Sequence, residues 1–271
     1  MRYPAVAGQF YSGSPEELRK QVEKCYSSSL GPGVVPRIKE GPRSIVGAVS
    51  PHAGFMYSGP VAAHVFNALA NDGFPDTFVI IGPNHTGMGA MVATTTEDFS
   101  MPMGIVQVEK DLARRIVQGI ISDDLLAHRG EHSLEVQLPF IQHLTPRAQI
   151  VPISMGLQDY KTAQEVGEII AKETKGSDVT VIASTDFSHY VPRDVAERKD
   201  RLAIQKILEL DPKGLYKTVT KEDIRMCGYG PVMAMLVAVQ GKKAELLKYS
   251  TSGDVQPMRD VVGYAGMVVR R

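Results

Sequence analysis

The sequence VIIGPNHTG at 79–87 joins an apolar run to a histidine. A short apolar run of this kind is typical of a buried strand. A glycine and a proline end the run, and Asn84 and His85 follow at once. The stretch IVGAVSPHAG at 45–54 repeats this order, with an apolar run, a proline and then His52. The sequence thus predicts two separate strands that each lead directly into a histidine.

Strand-like and helix-like segments alternate along the rest of the chain. Apolar runs predict strands at 45–49, 77–81, 148–153, 178–184, 245–250 and 261–269. Helical spacing of apolar residues predicts helices from 15 and near 60–71, 109–121, 132–144, 159–174, 194–210 and 230–240. This alternation favours an α/β fold, with a largely parallel or mixed central sheet flanked by helices. Because no composition break or repeat divides the sequence, we expect a single domain over residues 1–271.

The composition excludes several classes of protein. Thirty basic and thirty acidic residues give no net charge, so the sequence offers no electrostatic basis for binding nucleic acid or an anionic membrane. No apolar run is long enough to span a bilayer, and the first residues lack the apolar core of a secretory signal. With only two cysteines in the chain, a disulfide framework is not expected. We therefore expect a cytoplasmic protein.

Polar side chains follow three of the predicted strands. His52 and His85 come after the first two, and the sequence DVTVIASTDFSHY at 178–190 adds Asp186 and His189 after a third. In open α/β sheets, ligands bind outside the carboxyl ends of the strands. If these strands are neighbours, the four side chains meet at one edge of the sheet.

Two histidines and an anionic ligand at one edge suit zinc, iron or copper. The segment IRMCGYGPVMAML at 224–236 contributes Cys227 as a further candidate ligand, in a glycine-rich turn before a predicted helix. A helix N-terminus favours an anion and would lower the pKa of this thiol. The alternative is structural: a histidine at a strand end often serves only as a hydrogen-bonding residue, and Cys227 fits a tight turn as a small residue.

His132 belongs to the sequence GEHSLEVQLPFIQHL at 130–144, where it shares a helix face with Glu135. It is either part of a capped helix start or an acid-base group beside the metal. His64, His128 and His143 lie in or at the ends of predicted helices and have no convergent partners, so we do not assign them to the site.

Five of these motifs, in this order, resemble the MEMO family. They are PHAGFMYSG (51–59), GPNHTG (82–87), EHSLEVQLPF (131–140), STDFSHY (184–190) and CGYGP (227–231). The terminal motifs RYPAVAGQFY (2–11) and YSTSGD (249–254) also fit, so the resemblance covers almost the whole chain. The family is similar in fold to class III extradiol dioxygenases of the LigB type.

The resemblance implies a metal held by His52, His85 and Cys227, in a pocket lined by Asp186 and His189 with His132 close by. The dioxygenases use two histidines and a carboxylate to bind iron. Cys227 occupies the third position here, and its thiolate is softer and more electron-donating than a carboxylate. Iron or copper is therefore the expected metal, with zinc as an alternative, and ring cleavage does not follow from the fold.

Two functions remain open from the sequence. The first is a redox metalloenzyme in which Asp186, His189 and His132 act on a bound water, dioxygen or substrate. The second is a binding module that uses the same pocket to hold a metal, a small molecule or a peptide. The resemblance also implies partnership with an AMMECR1-like protein and a radical-SAM protein.

Overall fold

Eleven strands and nine α-helices make up the fold, and the computed structural model describes all residues from 1 to 271. The strands are β1 Ile45–Ser50, β2 Thr77–Pro83, β3 Val92–Thr94, β4 Phe99–Met101, β5 Gly104–Val106, β6 Ser122–Asp123, β7 Gln149–Met155, β8 Val179–Ser184, β9 His189–Pro192, β10 Lys243–Thr251 and β11 Asp260–Arg270. The helices are α1 Pro15–Ser27, α2 Gly59–Asp72, α3 Lys110–Arg115, α4 Leu126–Arg129, α5 Leu138–Leu144, α6 Tyr160–Glu173, α7 Arg193–Leu208, α8 Pro212–Lys221 and α9 Tyr229–Val239. Short 3₁₀ turns lie at Glu135–Gln137 and Ser252–Asp254.

Nine of the strands form one mixed sheet in the order β10-β11-β1-β8-β2-β7-β3-β6, with β9 paired to β11. The four central strands β1, β8, β2 and β7 run parallel to one another. The flanking strands β11 and β3 are antiparallel to the central strands they pair with. The central strands are buried along nearly their whole length, as expected for parallel strands covered on both faces.

Two groups of helices flank the sheet. Helix α9 packs on β1, β2 and β8 and is itself covered by α6 and α8. Helix α2 packs on β1, β10 and β11 and is covered by α1 and α5. Gly167 of α6 allows a close approach to α9, because a Cβ there would lie 2.6 Å from the carbonyl oxygen of Ala234 in α9. The prediction of an α/β fold with a mixed, helix-flanked sheet is confirmed.

The predicted elements differ from the structure in several places, and the short strands β3, β4, β5, β6 and β9 and the short helix α4 were not predicted. The helix predicted at 109–121 spans only Lys110–Arg115. The helix predicted at 132–144 begins at Leu138, because Pro139 has no N–H and is tolerated only in a first turn. Helix α8 was not predicted, although Asp211 caps it through a hydrogen bond from the backbone N–H of Gly214 at 2.8 Å. No helix of the structure combines the length and apolar composition needed to cross a membrane.

A buried ion pair fastens the N-terminal segment to the residues that precede α5. The guanidinium of Arg2 pairs with Glu135, and neither side chain is exposed to solvent. Arg2 also donates from Nε to the carbonyl oxygen of His128 at 3.0 Å and from its terminal nitrogen to the carbonyl oxygen of Glu131. Glu135 accepts a further hydrogen bond from the hydroxyl of Tyr11. The N-terminal segment therefore holds the backbone of 128–135, which carries His132.

We expect Arg2→Met to lower the free energy of unfolding by about 3–5 kcal/mol, because it leaves the carboxylate of Glu135 buried without its partner. Arg114→Met is the matched control, since Arg114 pairs with Asp111 in an exposed ion pair and its loss should cost less than about 1 kcal/mol. Urea unfolding followed by circular dichroism measures both. Equal losses in the two variants would contradict the structural role given to Arg2.

Candidate functional site

The carboxyl ends of β1, β2 and β8 lie side by side at one edge of the sheet. Ser50, the last residue of β1, is level with Ser184, the last residue of β8. In β2, Ile81 is level with Ala183 of β8, so the three strands end within about a residue of one another. The loops that follow carry His52, His85 and Asp186, and the predicted convergence of these three loops is confirmed.

Three histidine rings meet at this edge. His52, His85 and His132 each offer one ring nitrogen, and these nitrogens lie within 4.8 Å of one another. The rings of His85 and His132 are stacked with their centroids 4.6 Å apart. The ring of His52 stands edge-on to both, at 5.2 Å from His85 and 5.4 Å from His132. His132, which the sequence left between a structural and a functional role, is therefore part of the histidine cluster.

Glu131 orients two of the three histidines. Its Oε1 accepts a hydrogen bond from Nδ1 of His85 at 2.9 Å, and its other oxygen accepts one from the backbone N–H of His85. Oε1 also accepts from the backbone N–H groups of His132 and Ser133, at 2.9 and 2.7 Å. Burial opposes ionisation of this carboxyl, but the bonds from His85 and Ser133 lower its pKa to about 2. A carboxylate only accepts, so Nδ1 of His85 carries a hydrogen, which leaves Nε2 as the nitrogen able to bind a metal.

His52 is the most deeply buried of the three rings, with 1% of its surface exposed. Burial, followed by the neighbouring rings of His85 and His132, lowers the pKa of His52 well below its usual value. Burial also lowers the pKa of His132. Both rings are therefore neutral near pH 7, which is the form of imidazole that binds a metal ion.

Asp186 supports the backbone of His52. Its Oδ1 accepts a hydrogen bond from the backbone N–H of His52 at 2.8 Å, and only 4% of the residue is exposed. Burial raises the pKa of this carboxyl. At least one of its oxygens is thus engaged in holding the loop that carries His52.

Cys227 lies beside His52, with its Sγ 3.3 Å from Nε2 of the ring. The backbone N–H of Asp186 donates to this sulfur at 3.2 Å, and the backbone N–H of Gly228 donates to the side-chain Oγ1 of Thr185 at 2.9 Å. Cys227 precedes α9, as predicted, but the predicted lowering of its pKa is wrong. Burial, together with the charge of Asp186, raises the pKa of the thiol and outweighs the effect of the helix N-terminus.

A cavity of about 510 Å³ opens beside the three histidines. Asp186 and His189 line it together with Phe10, Tyr57, Tyr190 and Tyr264. His189 lies with Nδ1 at 2.7 Å from the carbonyl oxygen of Phe187 and 2.8 Å from that of Arg225. Because carbonyl oxygens only accept, Nδ1 of His189 carries a hydrogen. The volume and the largely aromatic wall suit a small molecule.

The other histidines lie outside the cluster, as expected. Nε2 of His64 lies 3.0 Å from the carbonyl oxygen of Leu30, and His143 packs against the ring of Tyr26. His128 is buried near Phe99 and Arg2. Burial, followed by the charge of Arg2, lowers the pKa of His128 to about 4.

The sequence did not indicate the buried polar side chains that hold the ring of His52 in place. Ser184 ends β8 and lies with its Oγ 2.9 Å from Nδ1 of His52. Gln137 donates to that same Oγ at 2.9 Å, and both residues are fully buried. Two features of the sequence could have indicated them. One is a serine at the end of a buried strand, and the other is a glutamine among the apolar positions of a predicted helix.

The family profile described as "Memo-like protein" matches residues 2–268. A MEMO1 family protein of Methanopyrus kandleri is 49% identical over 280 residues, which cover 100% of this chain and 99% of the relative. MEMO1 family proteins of Methanothermobacter thermautotrophicus and Pyrobaculum aerophilum are 47% and 45% identical, and each alignment covers at least 98% of both chains.

A solved structure of an uncharacterized protein from Escherichia coli K12 shares the fold. It aligns with a TM-score of 0.54 over 83% of this chain and 99% of its own, at 12% sequence identity. At this identity the likeness concerns the fold alone, and it is consistent with the LigB-like architecture that the motifs imply.

We expect His128 to make the stability of the protein depend on pH. Above its usual pKa of 6.5 the ring is neutral in both the folded and the unfolded state. Between pH 6.5 and about 4 the unfolded chain binds a proton that the folded protein does not, so the free energy of unfolding falls as the pH falls. The total loss from this one group is about 3 kcal/mol.

His128→Leu should therefore lose less stability than the wild type between pH 7.5 and 4, as measured by urea unfolding at each pH. His64→Leu is the control, because the ring of His64 is only half buried and should contribute less to the slope. Parallel pH profiles for the wild type and His128→Leu would contradict the assigned pKa.

Proposed function

The chain belongs to the family of Memo-like proteins, and on that premise we propose that it binds a single transition-metal ion through His52, His85 and Cys227. The observation that carries the proposal is the convergence of histidine nitrogens within 4.8 Å at the end of the sheet. Two nitrogens that each lie about 2.1 Å from one ion are at most about 4.2 Å apart, so small rotations of the rings suffice.

The state of the rings supports this proposal. His52 has a lowered pKa and is neutral, and Nδ1 of His85 is bound to the carboxylate of Glu131 at 2.9 Å. In many metal sites a carboxylate accepts a hydrogen bond from the ring nitrogen of a ligating histidine that does not bind the metal. This bond fixes the orientation of the ring and raises the basicity of the ligating nitrogen. The histidine nitrogens and the carboxylate of Glu131 therefore fit a metal ion. A bound ion would supply Lewis acidity, or electron transfer if it is iron or copper.

Cys227 and His132 compete for the position of third ligand. Sγ of Cys227 lies 3.3 Å from Nε2 of His52, so an ion bound to that nitrogen is close enough for the sulfur to coordinate it as well. Its thiol has a raised pKa, so ligation requires the ion to replace the proton. His132 has the favourable position within the histidine cluster, but it is neutral and offers no charge to a divalent ion. We favour Cys227 because a thiolate would partly neutralise the buried ion.

Metal content of protein purified without a tag tests the ligand set. We expect about one equivalent of iron or copper per chain in the wild type, and loss of most of it in His52→Ala and His85→Ala. Cys227→Ser should bind the ion at least about 10-fold more weakly, whereas His132→Gln should keep stoichiometric metal. The reverse result, with metal lost from His132→Gln and kept by Cys227→Ser, would assign the third position to His132.

The cavity beside the cluster extends the proposal to a redox reaction of a small molecule. Its wall includes Asp186 and His189 beside the histidine cluster, and both side chains are of a type that exchanges protons with a bound molecule. The alternative is a binding module that holds the ion, a small molecule or a peptide without turnover.

Oxygen uptake by the iron-loaded protein, with catechols as probes, separates these functions. We expect uptake that depends on the added substrate and falls by at least about 10-fold in His189→Gln, because that variant removes a candidate proton acceptor. Stoichiometric metal without any uptake would favour the binding module.

A further inference from the structure

Behind His52, on the side away from the cluster, lies a chain of buried hydrogen bonds. Nδ1 of His52 is 2.9 Å from Oγ of Ser184. Oγ of Ser184 is in turn 2.6 Å from the carbonyl oxygen of Ser133 and 2.9 Å from Nε2 of Gln137. Gln137 also donates from Nε2 to the carbonyl oxygen of Pro51 at 2.9 Å. Of the residues in this chain of hydrogen bonds, only His52 lines the cavity.

The direction of each hydrogen bond follows from which atoms carry a hydrogen and which only accept one. Two oxygens 2.6 Å apart require a hydrogen between them, and the carbonyl of Ser133 has none, so the hydroxyl of Ser184 donates to it. The amide of Gln137 has only one acceptable orientation, because the opposite one would set its oxygen against the carbonyl oxygen of Pro51. Ser184 therefore accepts a hydrogen bond from Gln137.

The hydroxyl of Ser184 has a single hydrogen, and the carbonyl of Ser133 takes it. Its remaining lone pair faces Nδ1 of His52, so that nitrogen must be the donor. We infer that Ser184 and Gln137 are positioning residues, which hold His52 with its hydrogen on Nδ1 and its lone pair on Nε2. Nε2 is the nitrogen that faces Cys227 at 3.3 Å.

The arrangement also makes the two histidines unequal. Nδ1 of His85 donates to an ionised carboxylate, whereas Nδ1 of His52 donates to a neutral hydroxyl. A carboxylate partner raises the basicity of a ring more than a hydroxyl does, so His85 is the stronger electron donor of the pair. The effect on metal affinity rests on the proposed function, but the assignment of the hydrogen on His52 does not.

Nitrogen NMR of the metal-free protein tests the assignment directly. In protein labelled with ¹⁵N-histidine and dialysed against a chelator, two-bond proton–nitrogen spectra distinguish a protonated from an unprotonated ring nitrogen. His52 is identified by the signals missing from His52→Gln. We expect Nδ1 of His52 to be protonated and Nε2 to be unprotonated at pH 7.5.

The matched variants are Ser184→Ala and Ser50→Ala. Ser50 pairs in register with Ser184 on the neighbouring strand and is equally buried, but its hydroxyl has no hydrogen-bond partner. Ser184→Ala should move the hydrogen of His52 partly to Nε2 and lower the affinity for added iron(II) by about 10–100-fold, while Ser50→Ala should leave both unchanged.

A wild-type His52 that carries its hydrogen on Nε2 would overturn the inference, and this measurement needs no variant. So would a Ser184→Ala spectrum in which His52 keeps the wild-type form. If the spectra follow the expectation but the wild type binds no iron, copper or zinc, the inference stands and the proposed function fails.

Discussion

The candidate site depends on the parallel pairing of β1, β8 and β2. Their register brings the three carboxyl ends to the same level, with Ser50 opposite Ser184 and Ile81 opposite Ala183. Residues that are far apart in the sequence thus come into contact without any local sequence signal that links them, as the hydrogen bond from the backbone N–H of His52 to the carboxylate of Asp186 shows. A shift of one residue in this pairing would turn the strand-end side chains to the other face of the sheet.

Around this edge the fold buries a large number of polar groups, and it pairs most of those that contact the histidines. Glu131 accepts four hydrogen bonds from His85, His132 and Ser133. Arg2 donates to the carbonyl oxygens of His128 and Glu131, and its guanidinium pairs with the carboxylate of Glu135. Burying these charges is costly unless each is paired, so the network stabilises one arrangement of the rings rather than many. The N-terminal residues are in this sense part of the site.

The sequence was sufficient for the fold class, for most of the long strands and helices, and for the meeting of His52, His85 and Asp186. It was sufficient because buried parallel strands have a clear apolar pattern and their ends share one edge. It was not sufficient for α8, whose ten residues bury only Leu215 and Val219. Nor did it indicate how close Cys227 and His132 lie to His52, because loop geometry sets these distances. The raised pKa of Cys227 was missed for a related reason: burial is a property of the whole fold, whereas the helix N-terminus is visible locally.

The central claim is that one ion binds at the end of the sheet between the rings of His52 and His85. Anomalous scattering, measured at the absorption edges of iron, copper and zinc on crystals of the purified protein, tests it most directly. The account predicts a single strong peak about 2.0–2.2 Å from a nitrogen of each of these two rings, at the edge of one of these metals. No peak at this position in protein supplied with all three metals, or a peak that only one of the two rings contacts, would contradict it.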